Sequence, residues 1–91
     1  MFKVGIIGAG WIAEKMAQAL APLHDIEAYA IASRSAIKAR AFAQEHKIPK
    51  AYGSYEEMVA DPDIDLVYIA TPHSHHFEHS VLALEHGKPV L

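Results

Sequence analysis

The chain contains no cysteine, which excludes disulfides, thiolate catalysis and cysteine-ligated zinc. No apolar run approaches the roughly 20 residues needed to span a bilayer. The opening "MFKVGIIGAG" meets glycine too early to serve as the apolar stretch of a secretory signal. Positive charge is scarce and scattered: eight Lys and Arg against eleven Asp and Glu leave a formal net charge of −3. A nucleic-acid partner is disfavoured, because phosphate binding needs a concentrated basic face. These absences lead us to expect a soluble, cytoplasmic protein with neither a membrane nor a nucleic-acid partner. What remains is 91 residues, 52% of them hydrophobic, with a mean hydropathy of +0.07. That is enough for one globular domain with a core of its own.

Strand and helix patterns alternate along the whole chain. Lys3 to Ile7 is a short β-branched run stopped by Gly8, which reads as a buried strand. From Trp11 onward Ile12, Met16, Leu20 and Leu23 recur at helical spacing, and Pro22 marks that helix's end. Ile26 to Ala32 reads as a second strand and Ala36 to His46 as a helix, with Ile37, Ala41 and Phe42 on one face. Ala51–Tyr52 allows a brief third strand. Ser54 and Glu57 have the spacing of a capping box, opening a short helix to about Ala60. Leu66 to Ala70 is a continuous apolar strand, as expected where helices cover both faces of a parallel sheet. Phe77, Val81 and Leu84 then share a helix face, Gly87 stops that helix, and Pro89–Val90–Leu91 begins another strand. The β-α alternation predicts an α/β fold with a parallel sheet and right-handed crossovers. A chain stopping inside an apolar strand leads us to expect a fragment of something longer.

"KVGIIGAGWIA" carries the sharpest signal. Gly8-x-Gly10-x-x-Ala13 follows a strand and opens a helix, the context that a dinucleotide fingerprint requires. Gly8 permits the tight turn, Gly10 lets a pyrophosphate approach the backbone, and Ala13 lets the helix pack close to the sheet. The amides around Trp11 and Ile12 would face the phosphates, aided by the helix dipole. No acidic residue stands just ahead of the glycines, which weakens a methyltransferase reading. The second strand should end on a group that reads the adenosine ribose. Here it ends on Ser33–Arg34–Ser35, with Lys38 one turn further on, where an NAD-preferring site would put a carboxylate. Hydroxyls and a guanidinium suit a 2′-phosphate, so NADP is expected, with NAD as the alternative.

"ATPHSHHFEH" holds four histidines. On a helical projection His75, His79 and His86 fall opposite Phe77, Val81 and Leu84, on what should be the solvent side. His75 and His79 have the i, i+4 spacing of a metal pair, but no carboxylate joins them in an HExxH arrangement, and no metal site is expected. His73 and His76 instead sit where the Leu66–Ala70 strand gives way to its helix, at the ligand-binding edge of an open parallel sheet. Thr71–Pro72 stiffens the turn there.

In that order, "VGIIGAGWIA", "IASRS", "IDLVYIATPHSHHFEH" and "ALEHGKPVL" resemble the N-terminal domain of the glucose–fructose oxidoreductase/inositol dehydrogenase/MocA family. Its dihydrodiol-dehydrogenase-like and sugar-dehydrogenase-like members look nearest. The resemblance covers essentially the whole chain. It implies a Rossmann-type doubly wound parallel sheet over residues 1–91, truncated before the last strand and the C-terminal substrate domain. It also implies an NAD(P)-dependent oxidoreductase acting on sugars, polyols or related alcohols and carbonyls. Gly8, Gly10, Trp11 and Ile12 would hold the pyrophosphate, Ser33, Arg34 and Lys38 the adenosine end, and Ala70, Thr71, Pro72, His73 and His76 the nicotinamide side. The family more often carries Asn where this chain has His73. In the family "GKPVL" leads into a Cys-Glu-Lys-Pro-like segment whose lysine assists proton transfer. That lysine would lie beyond Leu91, so no catalytic residue is expected here and the 91 residues alone should be silent. The substrate pocket, and the interface of a homo-oligomeric parent, would lie in the further domain. A non-catalytic Rossmann module that senses nucleotide is the alternative, and a histidine-based metal-binding protein a third reading.

Overall fold

The computed structural model describes the backbone of residues 1–91 and every side chain except that of His73. Among the described residues four strands, β1 (Phe2–Ile7), β2 (Ile26–Ala32), β3 (Lys50–Tyr52) and β4 (Leu66–Ile69), alternate with four helices. These are α1 (Trp11–Leu20), α2 (Ala36–His46), α3 (Tyr55–Val59) and α4 (His73–Glu85). The strands form one parallel sheet in the order β3-β2-β1-β4, so the expected α/β class is present. The strand expected at Pro89–Leu91 is a single parallel bridge between Val67 and Val90.

Because successive strand residues point to opposite faces, β1 splits its side chains between two cores. Val4 and Ile6 join Ile31 with Ala13, Ala17, Leu20, Phe42 and Ala43, under α1 and α2. Ile7 joins Ala30, Ala32, Val67 and Ile69 with Met58, Val59 and Ala83, under α3 and α4. Both faces are covered, as a continuous apolar strand requires.

The helix faces differ from the projection of the large apolar residues. α1 buries Ala13, Ala17 and Leu20, while Ile12 and Leu23 are exposed. α2 buries Ala39, Phe42 and Ala43, with Ile37 and Ala41 turned out. In α4 Ala83 and His79 face inward, and Phe77 and Leu84 are 80% and 60% exposed. The physical reason is common to all three. Ile6, Ile7, Ile31 and Val67 are fully buried and already fill the space above the sheet, so each helix approaches through its alanines.

Asp61, at the end of α3, ties the second layer to the sheet. Tyr52 Oη donates to Asp61 Oδ2 at 2.6 Å, the Asp63 amide donates to Oδ1 at 2.9 Å, and Lys88 Nζ donates to the Asp61 carbonyl at 2.8 Å. Burial pushes the Asp61 carboxyl up, but the bonds from Tyr52, Asp63 and Tyr29, with Lys50 nearby, outweigh it and hold it below its ordinary value of 3.8. A lowered folded value means that the unfolded chain binds the proton first. The stabilisation is therefore complete above pH 3.8 and is lost as pH falls through the folded value. Asp61→Ala should cost about 1–3 kcal/mol in urea unfolding at pH 7, because the Tyr52 hydroxyl loses its acceptor. Below the folded value the gap between variant and wild type should narrow.

Candidate functional site

The parallel register puts the site at one sheet edge. Ile7 is level with Ala32 on β2 and with Ile69 on β4, and Ala32 is level with Tyr52 on β3. The next residue of each strand therefore emerges at the same height. The ladder continues through them: the Gly8 amide donates to the Ala32 carbonyl, Ala70 to Ile7, and Ser33 to Tyr52, at 2.8 to 3.1 Å. Gly8, Ser33 and Ala70 thus lie side by side on the C-terminal edge. β1 sends its crossover one way to β2, whereas β4 pairs on its other side, which makes the gap between β1 and β4 the switch point of the sheet.

Gly8 has φ +99, where a side chain is strained, and a Cβ built on it would lie 3.0 Å from Thr71 Cγ2 and 3.3 Å from the Ala70 backbone. The glycine turn and the exit of β4 are therefore in direct contact. Gly10 differs. Its φ of −94 suits any residue, and a Cβ there would meet nothing within 4 Å. Gly10 leaves open space beside the first amides of α1, which receive no side-chain cap. By contrast α2 and α3 are closed by their own serines: Ser35 Oγ accepts from Lys38 N, and Ser54 Oγ accepts from Glu57 N. Ser54 thus caps α3 as expected, while Glu57 Oε1 accepts from the Ser54 hydroxyl at 3.0 Å and not from its amide, so the expected box is formed on the serine side only.

Each expected site residue has a distinct setting. Trp11 and Ile12 are exposed on the first turn of α1, with Lys15 Nζ 5.4 Å from the Trp11 ring centre. Ser33 is buried, and its Oγ accepts from the Ser35 amide at 3.2 Å, so it also shapes the turn that presents Arg34. Arg34 and Lys38 are exposed. Ala70 is buried, Thr71 half-buried and Pro72 exposed, at the entry to α4. His73 opens that helix, and its side chain lies outside the described residues. His76 is exposed, with Nδ1 3.5 Å from Ser80 Oγ.

A cavity of about 650 Å³ lies between α3 and α4, lined by Arg34, Ser54, Tyr55, Thr71, His75 and His79 among others. It is large enough for a nucleotide base and sugar. His75 and His79 border it and His76 does not. His79, expected on the solvent side, is instead 7% exposed. Its Nδ1 lies 2.7 Å from Thr71 Oγ1, and its ring meets the Tyr55 ring edge-on at 4.6 Å. Sequence reasoning missed His79 and Tyr55 because a projection ranks histidine as polar. The threonine partner eight positions away was the available clue. Elsewhere, Glu14, Glu45 and His46 bring one ligand-type atom each within 4.8 Å of one another, on the α1–α2 layer.

A glycine turn and an uncapped helix start at one switch point are the architecture of a dinucleotide site; the cavity opens beside them, reached through Thr71 and Pro72 at the exit of β4. Residues 2–91 match the model of an oxidoreductase family with an NAD-binding Rossmann fold, Gfo/Idh/MocA. The chain belongs to this family. It is 46% identical over 91 residues to a trans-1,2-dihydrobenzene-1,2-diol dehydrogenase from Xenopus tropicalis, covering 98% of this chain and 28% of that protein. It is 46% identical over 101 residues to a D-xylose 1-dehydrogenase (NADP(+)) from Hypocrea jecorina, covering 98% of this chain and 26% of that protein. Among solved structures, a 3-ketoreductase from Actinomadura kijaniata in complex with TDP-benzene and NADP, in an open conformation, superposes with a TM-score of 0.92. It is 33% identical, with 99% of this chain and 28% of that chain covered. The chain thus spans little more than a quarter of the length of these relatives, and the expected dihydrodiol-dehydrogenase-like resemblance holds.

The two Gfo/Idh/MocA glycines should respond differently to substitution. Gly8→Ala forces a side chain into a left-handed conformation against the β4 exit and should cost about 1–3 kcal/mol in urea unfolding. Gly10→Ala should leave stability within about 0.5 kcal/mol of wild type, since the new methyl meets only open space.

Proposed function

We propose that the chain is the NADP(H)-binding part of an oxidoreductase that transfers hydride to or from a sugar, a polyol or a related alcohol or carbonyl. The observation that carries this reading is the uncapped start of α1 beside Gly10. Its amides lack a side-chain cap, and the place where a Cβ would stand is empty. An anion there gains both hydrogen bonds and the helix dipole. In this reading Gly8, Gly10, Trp11 and Ile12 surround the pyrophosphate. Arg34 and Lys38, with the Ser33 hydroxyl, take the adenosine end, and the exposed guanidinium grips a 2′-phosphate through charge-assisted bonds. Ala70, Thr71, Pro72, His73 and His76 lie toward the nicotinamide. The cofactor when bound supplies or accepts the hydride. This chain's residues hold it in place, and a further part of the protein positions the substrate and the proton-transferring lysine. The names of the relatives, a diol and a xylose dehydrogenase, support the hydroxyl-bearing substrate class. A cytoplasmic setting and a homo-oligomeric assembly belong to the same reading.

The test is a titration with NADPH and NADH, followed through Trp11 fluorescence. NADPH should bind more tightly, and Arg34→Ala should weaken NADPH by about 10- to 100-fold while changing NADH little, as expected for one lost charge-assisted bond. Tighter NADH binding by the wild type would overturn the NADP assignment. Gly10→Val should abolish binding of both without unfolding the protein, which a helix cap without a ligand would not do.

A further inference from the structure

We propose that His79 is a positioning residue for the bound nucleotide, acting through Thr71: its Nδ1 takes the threonine hydroxyl hydrogen, so that Thr71 offers only acceptor lone pairs to a ribose hydroxyl. The inference rests on the NADP(H) reading above and deepens it.

Three geometric facts carry it. The Thr71 Oγ1 to His79 Nδ1 distance is 2.7 Å, short for a bond to a ring nitrogen. The threonine methyl stands 3.0 Å from where Gly8 would carry a Cβ, so the same side chain abuts the glycine turn. A threonine has three staggered rotamers, and turning it by one well would exchange methyl and hydroxyl against that turn. The bond to His79 therefore selects the rotamer. Finally, His79 Nε2 lies 3.7 Å from Glu78 Oε1. A carboxylate on that side favours the proton on Nε2 and leaves Nδ1 as the acceptor.

The ring must then be neutral to work. It is faced by Thr71 from the sheet edge, by Tyr55 from α3, by His75 and Glu78 from its own helix, and by the charges of Arg34 and Glu56. Burial disfavours its charged form, Glu78 opposes that, His75 and Arg34 reinforce it, and Glu56 opposes it more weakly. The balance holds His79 below the ordinary 6.5. A protonated ring has no free lone pair and donates from both nitrogens. Thr71 would then have to accept from His79 and point its own hydrogen outward. Protonation thus reverses the polarity that Thr71 shows to the nucleotide.

The experiment measures the NADPH dissociation constant against pH for wild type, His79→Asn, His79→Ala and Thr71→Val. Wild-type affinity should be constant above pH 6.5 and fall as pH drops through the lowered value of His79. His79→Asn keeps an acceptor near the Nδ1 position that does not titrate. It should bind within about 3-fold of wild type at pH 8 and lose the His79 part of the profile. What remains is the 2′-phosphate titration near pH 6, common to all variants. His79→Ala and Thr71→Val should each bind about 5- to 20-fold more weakly at pH 8, and together no worse than singly, because they break one shared bond. If His79→Ala does not fold, His79→Asn alone decides the matter. Identical profiles for wild type and His79→Asn would overturn the role of His79 and leave the NADP(H) reading standing. Failure of the wild type to bind NADPH or NADH would overturn both.

Discussion

The structure depends on β1 being paired on both sides and buried on both faces. A strand in that position cannot bend away gradually. Its pairing to Ala32 and Ile69 at the last residue obliges the chain to leave within a residue or two. The only exit is a turn with positive φ beneath the backbone of Ala70. Gly8 supplies that turn because it has no side chain to clash with either neighbour. Once the turn is fixed, α1 begins at the switch point with its amides pointing outward, and Thr71 is pressed against the same spot from the other side. The site is a geometric consequence of how the central strand ends.

The four helix starts then divide by function. Ser35 and Ser54 close α2 and α3 with their own hydroxyls, which satisfies amides that would otherwise need a partner. α1 and α4 open on Gly10 and Pro72, with no side-chain cap. Both stand at the gap between β1 and β4. The first amides of α1 and α4 are thus left without a side-chain cap at that gap, whereas those of α2 and α3 are not. Membership of Gfo/Idh/MocA gives the α1 start its dinucleotide meaning. In the proposed function, the exposed Arg34 that follows β2 adds the charge that distinguishes one nicotinamide cofactor from another.

Legibility in the sequence varied with the kind of physics involved. Strand runs, glycine stops, the Ser54 cap and the order of elements are local matters, and the chain shows them plainly. The glycine turn was legible for the same reason, since the turn's demands act on Gly8 and Gly10 themselves. The helix faces were not. Projecting Ile12, Ile37, Phe77 and Leu84 inward assumes that the largest apolar groups seek the core. Here the strands had already filled it, and the helices settled on Ala13, Ala39 and Ala83. That competition for volume between elements far apart in the chain leaves no trace in any single helix. His79 was misplaced by the same rotation of α4, and with it the wall that Tyr55 and His79 form beside the cavity.

The sequence by itself determined the alternation of strand and helix, the tight turn after β1, and a cationic rather than acidic end to β2. Each follows from backbone or charge preferences of residues next to one another. The tertiary structure alone decided which side of each helix meets the sheet, that Thr71 lies over Gly8, and that a histidine on α4 is buried against it. Those contacts join residues many positions apart, and they exist only after the parallel register has brought three strand ends to one level.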